Sequence, residues 1–169
     1  MIEINKAPLV VTYSVIISNN EIVNEENISN KEYADRLASI ESIYGFITLE
    51  YQGKKIQIED ELVPWIQNLC LKALSDILSG KKVIVYYFSR EGEMTIESDG
   101  TSVLIQDKFN SAVLFPFKSL IQELYACGER FIRQLSLIKR EDAAFMNDIK
   151  SLNFHKRLAG ASIDTLQYM

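Results

Sequence analysis

The sequence predicts a single α+β domain in which an antiparallel β-meander is covered by amphipathic helices. The stretch 81–115 alternates β-branched and aromatic runs with turn dipeptides, which is typical of a meander. A helical apolar pattern precedes this stretch and another follows it, so residues 46–139 form the predicted core module. The chain has 169 residues, 47% of them hydrophobic, which is enough for one domain with a packed core.

The first predicted element is a half-buried strand over residues 8–18. Apolar side chains occupy every second position there, so one face of the strand is fully apolar. The polar segment 21–27 is either a short return strand or a loop. Ser29 and Glu32 have the spacing of a capping box, in which each side chain bonds the other residue's amide.

A helix is expected to follow that box as far as Tyr44, with Gly45 as the glycine after its C-terminus. Residues 46–51 and 54–58 then have strand alternation and are predicted to pair as a hairpin across Gln52-Gly53. Both segments direct their isoleucine and leucine side chains to one side.

The strongest helical pattern follows the hairpin. Asp60 is its predicted N-cap, Pro64 falls in the first turn, and Gly80 stops it. The predicted buried stripe consists of Leu62, Ile66, Leu69, Cys70, Ala73, Leu74, Ile77 and Leu78.

A second long helix is predicted to begin at Pro116. Gly128 falls on its apolar stripe, which predicts a close approach between this helix and the sheet. Residues 141–152 are predicted to form another helix, and residues 154–169 a C-terminal extension whose order the pattern does not define. The stripe of the long helix contains Phe117, Leu120, Ile121, Leu124, Phe131, Leu135 and Ile138.

The net charge of −5 is unevenly distributed along the chain. Residues 1–100 contain 16 acidic and 9 basic side chains, whereas residues 101–169 contain 7 and 9. The acidic first part disfavours binding to nucleic acid, which needs a basic footprint. It is compatible with a basic protein partner, because opposite charges speed encounter, although acidity also keeps proteins soluble.

Two features predict a cytoplasmic protein that does not cross a membrane. The sequence contains no run of about 18 apolar residues, the length a spanning helix needs. Its first residues lack the basic start, apolar segment and cleavage site of a secretory signal. In that reducing compartment Cys70 and Cys127 are expected to be buried free thiols, with a disulfide as the alternative.

No catalytic, metal or cofactor motif is present in the sequence. The single histidine, His155, lies in a polar stretch beside Lys156 and Arg157, which indicates a surface residue rather than a catalytic base. One histidine and two distant cysteines do not have zinc spacing, and no glycine-rich phosphate loop occurs. We therefore expect no catalytic residue, no metal and no cofactor.

Two surface features remain as candidate partner-binding sites. The first is a group of carboxylates on the outward side of the meander, with Met94 and Ile96 expected to face inward. The second is Trp65, the only tryptophan, which falls off the stripe of its helix and is either a partner anchor or a cover for the rim of the core. The carboxylates are Glu91, Glu93, Glu97 and Asp99.

The order of elements in residues 58–106, followed by the helix FKSLIQELYACGERFIRQL, resembles bacterial immunity proteins of polymorphic-toxin and contact-dependent inhibition systems. The resemblance covers about half of the chain and includes no invariant residue. It implies a small, acidic, cytoplasmic and non-catalytic protein that binds a cognate toxin domain and blocks its active site. It leaves the oligomeric state open.

Two other classes remain open at this point. A secretion chaperone would also be an acidic cytoplasmic α+β protein, and it would form a dimer with exposed apolar patches. An enzyme could use carboxylates that are distant in sequence, and it would then have a deep polar pocket around a perturbed carboxylate pair.

Overall fold

Two antiparallel sheets of four strands each form the framework of the protein. The computed structural model describes residues 8–166, so the N-terminal residues considered for a secretory signal and the last three residues of the predicted extension lie outside it. Sheet A has the order β2-β1-β3-β4 and sheet B the order β5-β6-β7-β8. The strands of sheet A are β1 (Val10–Ile16), β2 (Ile22–Asn24), β3 (Tyr44–Tyr51) and β4 (Lys54–Glu61). Those of sheet B are β5 (Val83–Tyr86), β6 (Glu93–Ser98), β7 (Ser102–Gln106) and β8 (Val113–Pro116).

Helices pack against both sheets, and the predicted α+β class is confirmed. One helical run connects the two sheets and a pair of long helices completes the fold. The helices are α1 (Lys31–Ala38), α2 (Leu62–Trp65), a π-helical segment (Ile66–Lys72), α3 (Ala73–Leu78), α4 (Phe117–Ile138) and α5 (Ala143–Leu166). Because α2, the π-helical segment and α3 are continuous, we call them together the 62–78 helix.

Strand β1 lies at the centre of sheet A, between β2 and β3. Its predicted inner face is confirmed, since Leu9, Val11, Tyr13, Val15 and Ile17 are all buried. The ambiguous segment 21–27 contains the return strand β2. Strand β1 pairs with β3 over seven positions. The predicted core module of residues 46–139 therefore leaves out β1, the neighbour of one of its own strands.

The prediction of a helix as far as Tyr44 is wrong. Helix α1 ends at Ala38, its N-cap is Asn30 without a side-chain cap bond, and Tyr44 and Gly45 belong to β3. Gly45 lies opposite Val15, and a Cβ on it would come within 2.0 Å of the Ser14 carbonyl oxygen. The glycine is thus needed for close strand approach rather than for ending a helix.

The predicted hairpin of residues 46–58 and the predicted meander of residues 81–115 are both confirmed. Gln52 and Gly53 both have positive φ, 51° and 75°, as a tight two-residue turn between β3 and β4 requires. In sheet B, Met94 and Ile96 are fully buried, so β6 directs its intervening residues outward as expected.

The 62–78 helix buries a wider face than an α-helical stripe would. Its centre is π-helical, which adds residues to each turn, and Leu69, Cys70 and Leu71 of that segment are all buried. Trp65 is also buried, in the α-helical turn before the π-helical segment, three residues after Leu62. Gly128 of α4 packs against this segment, where a Cβ would lie 3.0 Å from Leu71 Cδ2 and 3.3 Å from Cys70 Cβ. The predicted close approach at Gly128 exists, but the neighbour is a helix and not the sheet.

Residues 154–166, predicted as an extension, continue helix α5 to Leu166. Ala159 and Leu166 are buried, so this part of the chain packs on the domain. Cys70 and Cys127 are both buried and free, and they hydrogen-bond to each other. None of the helices within residues 8–166 is long and apolar enough to cross a membrane.

Candidate functional site

Sheet B has one buried face and one exposed face. The inner residues of β5 to β8 pack on the helices, and the strand register places their alternates together on the other side. We call that side the outer face; it consists of Ile84, Tyr86, Glu93, Thr95, Glu97, Leu104 and Leu114.

Large apolar side chains are exposed on the outer face. Tyr86 is 67% exposed, Leu114 54% and Ile84 43%, and Phe88, just beyond β5, is also exposed. Ile84 lies opposite Thr95, while Leu114 lies opposite Leu104, which in turn lies opposite Glu97. The exposed apolar side chains therefore form two groups on one face, Ile84 and Tyr86 on β5 and Leu114 on β8, separated by the residues of β6.

The four predicted carboxylates are all exposed, but they are not equivalent. Glu93 and Glu97 lie on the outer face, between the apolar residues of β5 and those of β7 and β8. Glu91 and Asp99 lie beyond the two ends of β6. Only Glu93 and Glu97 therefore share the exposed side of the sheet with the apolar residues.

Two of these carboxylates already have partners within the chain. Glu97 forms a salt bridge with Lys82 at 3.2 Å. The Asp99 carboxylate accepts hydrogen bonds from the amides of Thr101 and Ser102, each at 2.8 Å, which lower its pKa and fix the β6–β7 turn. Asp99 is thus a turn residue, whereas Glu93 forms no salt bridge among residues 8–166.

Trp65, the second predicted site, lies in the core. Its side chain is 1% exposed, and its indole Nε1 donates a hydrogen bond to Asp60 at 2.9 Å. The ring is therefore not available to a partner, and it lies inside the core rather than at the rim that the alternative interpretation predicted.

Asp60 is a buried residue of β4 and not the predicted helix N-cap; the N-cap is Glu61. Besides Trp65, its carboxylate accepts hydrogen bonds from the amides of Phe88 at 2.6 Å, Ser89 at 3.0 Å and Glu61 at 2.8 Å. Burial opposes ionisation, but these hydrogen bonds outweigh it, so the pKa of Asp60 lies below its ordinary value of 3.8. The charge holds the end of β5 in place.

A series of aromatic ring contacts also holds the β5–β6 connection. Trp65 packs on Tyr87 with centroids 4.9 Å apart, and Tyr87 packs on Phe109 at 5.0 Å. The Arg90 guanidinium lies 3.8 Å from the Phe109 centroid and 4.7 Å from that of Tyr87. The β5–β6 connection is therefore fixed before any partner arrives, which lowers the entropy lost on binding.

A groove of about 420 Å³ runs along the free side of β5. Residues 83–88 line one wall, and Pro64, Asn68, Lys72 and Asp76 of the 62–78 helix line the other.

Burial lowers the pKa of His155, and the positive charge of Lys72 lowers it further. His155 itself is half-buried.

Sequence reasoning missed the apolar part of the outer face. The signal was present in the run VIVYYF, where both alternate sets of side chains are apolar although an edge strand buries only one. Within the described part of the chain, no cluster of three or more His, Cys, Asp or Glu side chains could hold a metal ion.

The chain matches no protein-family model, no curated protein and no solved structure. Functional inference therefore rests on the geometry of the outer face.

Proposed function

We propose that this protein is a non-catalytic binding protein that uses the outer face of sheet B to bind a folded protein partner, and that the partner is a bacterial toxin domain. The observation that carries the proposal is the grouping of exposed Ile84, Tyr86 and Leu114 around Glu93 and Glu97. Burial of exposed apolar side chains in an interface supplies affinity, and the charges among them set the rate and specificity of association.

The sign of the charge selects the class of partner. Residues 1–100 have seven more acidic than basic side chains, 16 against 9. Glu93 adds to the proposed contact a carboxylate that forms no salt bridge with any residue from 8 to 166. A toxin that cleaves nucleic acid has a basic cleft for the phosphate backbone, which an acidic face can occupy. The resemblance of residues 58–106 to immunity proteins agrees with this choice.

Rigidity of the proposed contact also supports the proposal. Asp60 and the Tyr87–Phe109–Arg90 stack hold the β5–β6 connection, so the face needs little rearrangement to bind. An inhibitor with a preformed surface keeps more of its interaction energy as affinity.

The decisive experiment measures binding to the C-terminal domain of a large secreted protein encoded beside this chain. We expect tight binding and neutralisation of its toxicity. Glu93→Lys should slow association by about tenfold at low salt, because it reverses a charge on the contact. Leu114→Ala should speed dissociation by about fivefold or more, as for a buried interface residue.

The matched control is Glu141→Lys, which makes the same charge change at a fully exposed residue outside sheet B. Equal effects of Glu93→Lys and Glu141→Lys would mean that only net charge matters and would remove the outer face from consideration. Failure of every neighbouring toxin domain to bind would overturn the immunity assignment.

The exposed side chains of Ile84 and Tyr86 on β5, together with the groove beside this strand, favour a second candidate. This candidate is a secretion chaperone that holds an extended effector segment. The two candidates differ in what they bind. A chaperone should bind the unfolded segment of an effector, whereas an immunity protein should bind only the folded toxin domain.

A further inference from the structure

We propose that two copies of this chain associate through β5, which pairs antiparallel with β5 of the second copy about a twofold axis at Val85. Sheet B then becomes one sheet of eight strands. This inference is independent of the proposed function, because it concerns the chain without any partner.

The first step is that β5 is an open edge. Within residues 8–166 it pairs only with β6, and its other side borders the groove. The Tyr87 amide donates to the Gly92 carbonyl on the β6 side, so alternation directs the backbone groups of Val83 and Val85 the same way. The amides and carbonyls of Ile84 and Tyr86 point to the open edge.

The second step is that this edge lacks the usual protection against pairing. Natural edge strands carry an inward charge, a proline, a bulge or a covering loop. Strand β5 has no charge, proline or bulge between Val83 and Tyr86, and it exposes Ile84 and Tyr86. In the described part of the chain the groove separates its edge from the 62–78 helix. At the far edge of sheet B, by contrast, Asn110 bonds the backbone of Gln57 in β4 at 3.0 and 3.1 Å.

The third step identifies a second copy as the occupant. The outward residues along β5 are Lys82, Ile84, Tyr86 and Phe88, and this row is complementary to its own reverse. With Val85 on the axis, Ile84 lies opposite Tyr86 of the second copy and Lys82 opposite its Phe88. Aromatic and β-branched residues are favourable cross-strand pairs, and no like charges meet.

The same register satisfies the open backbone groups. Ile84 of each copy exchanges two hydrogen bonds with Tyr86 of the other, which gives four bonds and uses every outward amide and carbonyl of both residues. The axis then passes through a non-hydrogen-bonded pair at Val85. A slip by one residue would pair outward with inward side chains. A slip by two residues keeps the faces aligned but places Ile84 opposite Ile84, or Tyr86 opposite Tyr86, and the cross-linking below separates these registers from the proposed one.

Sedimentation equilibrium of the purified chain tests the association. Over a series from about 1 to about 200 µM we expect a reversible transition to twice the 19.3-kDa chain mass. Each copy has a net charge of −5, so added salt should strengthen the dimer. Added salt should instead weaken the binding of this acidic chain to a basic toxin domain, so the effect of salt distinguishes the two associations. A monomer at every concentration overturns the proposal.

Variants at the edge test the surface. Tyr86→Lys should weaken the dimer at least about tenfold, and Ile84→Pro should do the same by removing an outward amide that bonds nothing within the sheet. Leu114→Lys is the matched control, because it places the same charge at another exposed site on the outer face, three strands away. Circular dichroism verifies folding, and a dimer that Tyr86→Lys leaves intact overturns the assignment.

Cross-linking tests the register. Ile84→Cys mixed with Tyr86→Cys should form a disulfide between copies, because directly opposed Cα atoms lie about 5.5 Å apart. Either variant alone places its thiols diagonally, beyond about 7 Å, and should cross-link far less. The native cysteines are fully buried. Equal cross-linking of the single variants and the mixture overturns the register.

Discussion

The carboxylate of Asp60 and the indole of Trp65 form a buried hydrogen bond of 2.9 Å that connects sheet A to the 62–78 helix. Both side chains are 1% exposed. Because Asp60 also binds the amides of Phe88 and Ser89, this pair connects β4, the helix and the end of β5 at one point.

Replacing Asp60 should therefore destabilise the fold and loosen the outer face. Asp60→Asn removes the charge and replaces one acceptor by a donor, which leaves at least one buried N–H without a partner. We expect the free energy of unfolding to fall by about 1–3 kcal/mol in urea denaturation. Glu59→Gln, at the half-buried neighbour, is the control and should change it by less than about 0.5 kcal/mol. Equal losses in the two variants would contradict the role given to Asp60.

The lowered pKa of Asp60 predicts how this difference depends on pH. Since the folded pKa lies below 3.8, the unfolded chain binds the proton more tightly. The stabilisation is fully present above about pH 4 and is lost as the pH falls through the folded value. The gap in unfolding free energy between wild type and Asp60→Asn should narrow in acid. A gap that is constant between neutral pH and acid would show that the Asp60 charge does not contribute.

Gly45 is required by the contact between β1 and β3. Gly45→Ala would place a methyl group 2.0 Å from the Ser14 carbonyl oxygen, and only a shift of the backbone can relieve this. We expect a loss of about 1–3 kcal/mol or more in unfolding free energy. The control Gly160→Ala meets only the Tyr125 side chain, at 3.2 Å from its hydroxyl, and should stay within about 1 kcal/mol. If both variants unfold alike, the close approach at Ser14 is not limiting.

The sequence predicted most elements because their patterns are local. The turn at Gln52-Gly53, the alternation of β6 around Met94 and the stripe of α4 each depend on neighbours within a few residues. Gly45 was misassigned because a glycine that ends a helix and a glycine that admits a neighbouring strand look the same in sequence. Only the pairing with β1, 30 positions earlier at Val15, separates the two cases.

The candidate site was predicted only in part, again for a physical reason. Alternation in β6 placed Glu93 and Glu97 outward, which the structure confirms. Trp65 was placed off the apolar stripe because the stripe was drawn through Leu62 and Ile66 alone, whereas residues three apart also share one face of an α-helix. Ile84 and Tyr86 were missed because a run that is apolar at every position does not tell which strands lie at an edge.

Lys139 provides the clearest test of a contact that no local pattern indicates. Its side chain is fully buried, and its Nζ donates to the carbonyls of Ile40, Leu37 and Ala38 at the end of α1, besides pairing with Asp142 at 3.5 Å. These bonds fix the α4–α5 turn to α1.

Lys139→Met keeps an unbranched side chain, one atom shorter than that of lysine, but removes every donor. The carbonyls at the end of α1 then lose their shared partner, and we expect a loss of on the order of 2–4 kcal/mol in unfolding free energy. Arg140→Met changes the adjacent residue, whose side chain is 73% exposed, and should cost less than about 0.5 kcal/mol. Hydrogen exchange gives a local readout, because the amides of α1 should lose protection in Lys139→Met and keep it in Arg140→Met. Unchanged protection of α1 in Lys139→Met would show that its C-terminus is held by other contacts, and the lysine would then be only a packing residue.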